Sequence, residues 1–105
     1  MPQQNKYKVY YAKQPTFMEN PDLTLDNLVE THVFLIEIEA ESLEGVYRSM
    51  QAEVWSPGGQ ANDLIRAKGL HHTSMSIGDV IEAPDGKFHE VAWIGFNEVV
   101  RGIGP

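Results

Sequence analysis

The chain contains no cysteine. Disulfides, thiolate metal sites and cysteine nucleophiles are therefore excluded, and the fold must be held by packing and hydrogen bonds alone. Long apolar runs are also missing. Runs such as Val33 to Ile36 and Val91 to Ile94 fall far short of the roughly 20 residues a membrane helix needs. The stretch Met1 to Lys6 lacks the apolar segment of a secretory signal, so an unexported, cytoplasmic chain without membrane association is expected. Prolines number only six, and no repeat or low-complexity segment occurs. What is present, 42% hydrophobic and 10% aromatic residues over 105 positions, fits one folded domain spanning 1–105, as a monomer or small homo-oligomer.

Basic residues are scarce too. Lysine and arginine total 8 against 15 acids, giving a net charge of −7. Residues 1–18 carry Lys6, Lys8 and Lys13 without an acid. Residues 19–44 carry Glu19, Asp22, Asp26, Glu30, Glu37, Glu39, Glu41 and Glu44 without a lysine or arginine. Binding nucleic acid through its phosphates requires clustered cations to displace counterions, and Arg66 with Lys68 is too small a patch. The acidic block serves solubility or draws a basic partner.

Along the chain, Tyr7-Lys8-Val9-Tyr10-Tyr11-Ala12 predicts a strand near 6–13, with Pro15 and Asn20-Pro21 marking a loop. Leu25, Leu28 and Val29 suggest a short helix within 22–29. Thr31 to Ala40 reads as a strand with Phe34, Ile36, Ile38 and Ala40 on its core face. The partly apolar second face predicts a central position in the sheet. Ser42 offers an N-cap, and Leu43, Val46, Tyr47 and Met50 recur at helical spacing, predicting the main helix over about 42–52. Ser56-Pro57-Gly58-Gly59 breaks the chain, and Asn62 to Gly69 predicts a second, short helix near 62–68 with Asn62 as its cap.

A hairpin follows, with strands at about 77–83 and 87–95 around Pro84-Asp85-Gly86 and with Trp93 and Phe96 as its large apolar residues. A third short strand within 97–101 and a frayed tail over 102–105 complete the expectation. The predicted fold class is α+β: a mainly antiparallel sheet of four or five strands with the main helix on one face. Its predicted core includes Val9, Phe34, Ile36, Ile38, Leu43, Val46, Tyr47, Met50, Ile77, Val80, Ile81, Val91, Trp93 and Phe96.

Chemistry-bearing residues concentrate at His71-His72-Thr73-Ser74-Met75-Ser76. Adjacent histidines diverge, and no His-x-x-x-His or Glu-bearing helical motif joins them to His32 or His89, so no metal site and no cofactor are expected. Thr73, Ser74 and Ser76 invite a serine–histidine reading, but Gly-x-Ser-x-Gly is absent, so no catalytic residue is assigned. The hydroxyls are read as satisfying backbone groups. If a small-molecule or nucleotide site exists, His71, His72, Thr73, Ser74 and Ser76 should line it, with Trp93 or Trp55 as a stacking wall.

The helix Leu43 to Gln51, the string Thr73-Ser74-Met75-Ser76-Ile77-Gly78-Asp79-Val80-Ile81, the Asp85-Gly86 turn and the closing Gly95-Phe96-Asn97-Glu98-Val99 stand in an order that resembles the YodL-like domain. That small domain occurs in bacterial and mobile-element proteins. The resemblance covers residues 43–99; residues 1–42 have no counterpart in it, and it assigns no catalytic residue. It implies an accessory or interaction protein of a mobile element, phage or plasmid. Together with the charge, it leads to the expectation of a non-enzymatic protein that binds another protein through an acidic surface or sheet edge. A sharper form is an acidic mimic of nucleic acid that blocks a defence enzyme. Gly78-Asp79-Val80-Ile81 also suits an RNA-binding module of the PUA or ASCH type, which the charge opposes, and a small enzyme is the third alternative.

Overall fold

A computed structural model describes residues 5–102. Of the expected tail only Gly102 falls among them, its N–H donating to Asp26 Oδ2 at 2.7 Å; residues 1–4 and 103–105 lie outside. The strands are β1 (Lys6–Ala12), β2 (His32–Glu39), β3 (Val80–Glu82), β4 (Phe88–Val91) and β5 (Phe96–Val99). They form one five-stranded antiparallel sheet in the order β2-β1-β3-β4-β5. The helices are α1 (Leu28–Thr31), α2 (Leu43–Ser49), α3 (Ala52–Trp55) and α4 (Asn62–Ala67), so the fold is α+β.

The first strand, not the second, lies inside the sheet. Tyr7, Val9 and Tyr11 project from β1 into the larger core, where they join Val46 and Met50 of the α2 region, Ile65 of α4, and Leu70, Met75, Ile81 and Val91. Tyr10 projects to the opposite face and packs on a smaller core of Leu23, Leu28, Val80 and Val99. A strand apolar on both faces belongs in the interior. Aromatic and β-branched residues give β1 that character, since they fit a pleated surface covered on both sides.

β2 is an edge strand, which corrects the central placement read from its apolar second face. The cause is a bulge. Val9 pairs with Ile36 but Tyr10 pairs with Phe34, so Leu35 is the extra residue of β2. Ile36 and Ile38 keep the helix-side core as predicted. Beyond the bulge the alternation inverts, so that Leu35 and Val33 join that core while Phe34 turns to the other face. There Phe34 is 42% exposed, touching Tyr10 edge-on at 5.6 Å.

The predicted 42–52 helix is broken into α2 and α3. Ser42 caps α2 as expected, its Oγ accepting from Gly45 N at 3.0 Å. The break at Met50-Gln51 is made by a distant loop. Ser74 Oγ accepts the N–H of Ala52 at 2.9 Å, Met75 N donates to Met50 O at 3.1 Å, and Gln51 Nε2 donates to Met75 O at 3.2 Å. An inserted segment that satisfies freed backbone groups is a recognised cause of helix interruption.

Three boundaries also shift. The helix expected within 22–29 forms later, as α1, after a turn in which Thr24 and Asn27 exchange side-chain to backbone bonds of 2.9 and 3.3 Å. α4 takes Ala61 as its N-cap instead of Asn62, with Ser56 Oγ accepting from Ala61 N at 2.8 Å. Residues 93–95 form a turn, closed by Ala92 N donating to Gly95 O at 3.0 Å with Gly95 at φ +70°. The second hairpin strand therefore stops at Val91, and Trp93 sits at an exposed tip, outside the core predicted for it.

Candidate functional site

The polar loop before β3 is organised by Asp79, which is almost fully buried. Its Oδ1 accepts from Ala12 N at 2.8 Å. Its Oδ2 accepts from Ser76 N and from His72 Nε2, both at 2.8 Å. The Asp79 carbonyl takes Val91 N at 2.8 Å. One residue thus ties the end of β1, its own loop and the end of β4, and a buried carboxylate with several charge-assisted bonds is well satisfied. Gly78 enters this corner at φ +98°, and a Cβ there would come within 3.1 Å of Met18 O, so the position is closed to side chains.

His72 lies flat on Tyr11, ring centroids 4.5 Å apart and planes 11° apart, with Phe17 edge-on at 6.1 Å. Its side chain is 8% exposed. Nε2–H donates to Asp79, and Nδ1 is buried without a partner among the described residues. The Tyr11 hydroxyl donates to Thr73 O at 2.7 Å; burial, then the Asp79 charge, holds its phenol well above the ordinary tyrosine range. Trp55 Nε1–H donates to the same carbonyl at 3.1 Å.

His32 completes the junction, its Nε2–H donating to Gly78 O at 2.7 Å while Nδ1 accepts from Thr31 Oγ1 at 2.8 Å. Burial lowers its pKa, against the raising effects of the Gly78 bond and the Asp79 charge. The ring is held neutral between a donor and an acceptor.

Of the residues predicted to line a ligand site, the structure brings His72, Thr73, Ser74, Ser76 and Trp55 together. It spends two of the hydroxyls on the chain itself, Ser74 Oγ on Ala52 N and Ser76 Oγ–H on Ser74 O at 3.1 Å, while Thr73 contributes its backbone carbonyl, which accepts from Tyr11 and Trp55. His71 lies apart, exposed in a shallow cleft beside Ile65 and Arg66. Trp93 lies apart from them as well. A His–Asp pair resembles the base and orienting acid of a hydrolase, but no hydroxyl bonds to the free nitrogen of His72 among the described residues. The arrangement locks backbone segments together. The Asp79 clamp gives the Gly78-Asp79-Val80-Ile81 string a structural role. The available signal was the Ser76-x-x-Asp79 spacing, which lets a carboxylate reach back to an N–H three residues earlier.

Several surfaces remain open among the described residues, a recess of ≈ 580 Å³ beside Lys13, Glu19 and His32 among them; two others bear on partner binding. One is an apolar notch of ≈ 430 Å³ between α2 and the β4–β5 turn, walled by Tyr47, Ile77, Trp93 and Phe96 and rimmed by Glu44 and Arg48. Trp93 and Ile94, at its tip, are 78% and 87% exposed. The other is the edge of β2, an eight-residue strand paired on one side only among the described residues, with Glu37 and Glu39 exposed along it and Glu30, Glu41 and Glu44 exposed beyond its ends. No group of three or more histidines, aspartates or glutamates suited to a metal ion occurs among the described residues. Nor is any helix among them long and apolar enough to cross a membrane.

No protein family, curated protein or solved structure matches the chain.

Proposed function

We propose that this chain is a non-enzymatic interaction protein that binds another protein through the acidic edge of its sheet. The observation that carries the reading is β2: a long edge strand whose outward charges, Glu37 and Glu39, are both acidic, within a block of 26 positions, 19–44, that contains no lysine or arginine. An unpaired strand edge is a template for another chain, and its charges decide which chains are admitted. The exposed Trp93 and Ile94 support the same class of function, because large apolar side chains left in solvent beside a notch mark interaction surfaces. In the chemistry-bearing loop the Ser74 and Ser76 hydroxyls and the Asp79 carboxylate are spent on the chain itself, which weighs against an enzyme. A setting in a mobile element, phage or plasmid, and an anti-defence role within it, draw on the resemblance of residues 43–99 to YodL-like domains.

The test is affinity capture with the tagged full chain, run beside a Glu37→Ala/Glu39→Ala variant whose far-UV circular dichroism matches the parent. A protein retained by the parent and lost by the variant is the expected result. Identical captures by both chains, or none by either, would overturn the reading.

A further inference from the structure

The lower half of β2, Ile36 to Glu39, shows what kind of strand it accepts, because it already pairs with one. On its inner side the register sets Lys8 opposite Glu37 and Lys6 opposite Glu39, with Val9 opposite Ile36 and Tyr7 opposite Ile38. Tyr7 and Val9 belong to the helix-side core, so the lysines stand on the opposite face, where both are exposed. Lys8 in turn faces Glu82 of β3. Across this face the strands alternate in charge: acidic β2, basic β1, acidic β3. Opposite charges directly across a ladder stabilise it, and like charges destabilise it.

The outer side of the same four residues repeats the same demands, with nothing among the described residues to meet them. Among the described residues, no backbone hydrogen bond other than those of the β1 ladder reaches Ile36 to Glu39. Ile36 and Ile38 are only partly buried, and Glu37 and Glu39 are exposed. The other half of the strand is protected. The bulge at Leu35 interrupts its ladder, and Lys68 Nζ reaches to 5.8 Å from the Phe34 ring centroid; bulges and edge lysines are the usual guards of a strand edge. Among the described residues the lower half is guarded only by the charges of Glu37 and Glu39, which repel acidic strands and admit basic ones.

We infer that Ile36–Glu39 accepts an extended peptide segment of alternating basic and apolar residues by strand addition, the incoming segment repeating outside β2 the pattern that Lys6-Tyr7-Lys8-Val9 presents inside it. Main-chain bonds would supply affinity, and the alternation would supply selectivity: a lysine or arginine faces each of Glu37 and Glu39 while an apolar side chain covers each of Ile36 and Ile38. A second copy of this chain is a poor occupant. Its β2 brings like charges, its β1 is already enclosed between two strands, and its other edge, β5, carries Glu98 and no lysine or arginine. The inference rests on the protein-binding reading above and names the chemistry of the partner segment.

The probe is a fluorescein-labelled, end-blocked peptide of about eight residues alternating lysine and valine, enough to span the free ladder. Its comparators are the same residues in two blocks, an alternating glutamate–valine peptide, and the lysine–valine peptide N-methylated at every second residue. Fluorescence anisotropy should show the alternating basic peptide binding roughly tenfold more tightly than each comparator. Amide exchange by NMR should slow within 36–39. A Glu37→Lys/Glu39→Lys variant should weaken binding by a similar factor and transfer preference to the acidic peptide. Equal binding of the block or N-methylated peptide, protection confined to other residues, or no binding at low salt would overturn strand addition. The two readings separate cleanly. A cellular partner lost from the Glu37→Ala/Glu39→Ala chain without peptide-induced protection refutes strand addition and leaves protein binding standing. Protection with no captured partner does the reverse.

Discussion

At the scale of single residues, Asp79 has the most to lose. Its carboxylate accepts three N–H groups from three places in the chain, Ala12, His72 and Ser76. An amide of the same shape offers one accepting atom. In Asp79→Asn the NH2 therefore faces either the Ala12 donor or the pair from Ser76 and His72, and a buried N–H is left without an acceptor. The variant is expected to lose about 3 kcal/mol or more of unfolding free energy in urea, the scale on which breaking a buried, charge-assisted set acts. A loss below about 1 kcal/mol would show that water or local relaxation replaces the clamp. Little of this was legible from residue order. His72 and Asp79 are separated by seven positions of irregular backbone, and neither the helical nor the strand period predicts that their side chains meet. The reading that Ser74 and Ser76 serve backbone groups follows from their chemistry alone, since short hydroxyl side chains compete for nearby amides wherever a strand begins. Which amides they reach was beyond that reading, because Ala52 lies 22 residues from Ser74.

At the scale of elements, β2 shows how one inserted residue reassigns a face. Period-two reading puts Phe34 with Ile36 and Ile38, and a central Phe34 would cost about 3–5 kcal/mol on truncation to alanine. With the bulge at Leu35 the two neighbours exchange roles: Leu35 is 3% exposed and Phe34 is 42% exposed. Leu35→Ala is therefore expected to cost about 2–5 kcal/mol as a cavity in the larger core. Phe34→Ala should cost about 1 kcal/mol, the loss of one edge-on aromatic contact with Tyr10 and partial burial. Thermal or chemical denaturation of the two variants checks the order, and a larger loss for Phe34 would contradict the observed register. The break between α2 and α3 has the same character. Val46 and Met50 carry the expected stripe on to the core, but the helix yields where the 73–76 loop supplies competing donors and acceptors at Met50 to Ala52.

At the scale of the whole molecule, two cores on opposite faces share β1, with Val9 and Tyr11 in the larger and Tyr10 in contact with the smaller. Two buried titratable groups, His32 and Glu90, give this assembly opposing responses to acid. The folded-state pKa of His32 lies below the ordinary histidine value of about 6.5, chiefly because burial penalises the cation. The unfolded chain thus takes up this proton first, and stability present above pH 6.5 is lost as pH falls below it, until the folded pKa is reached. Glu90 is raised above 4.5, chiefly by burial, with the Asn20 N–H bond opposing and the Glu19 charge assisting. Its ionised form burdens the fold above that raised value, and the burden is relieved as pH falls through it towards 4.5. His32→Gln isolates the first effect. Below pH 6.5 the wild-type chain should lose stability relative to the variant by up to about 1.4 kcal/mol per pH unit, measured by urea denaturation at successive pH values. Parallel curves would show that His32 protonates without cost.

The sequence by itself determined the class of fold, α+β with an antiparallel sheet, together with the main strands near 6–13 and 31–40, the Ser42 cap, the Pro84-Asp85-Gly86 turn and the acidic block. Each of these is written in local chemistry: side-chain alternation, a capping hydroxyl, turn residues, charge along a short run. Tertiary structure alone decided that β1 is interior and β2 the edge, that Phe34 and Trp93 face solvent, that Ser74 interrupts a helix, and that Asp79 gathers three segments. Those outcomes depend on which distant backbone groups compete for the same partners and on a single bulge that inverts a face. Interactions between residues far apart in the chain leave no period in the sequence from which they could be read.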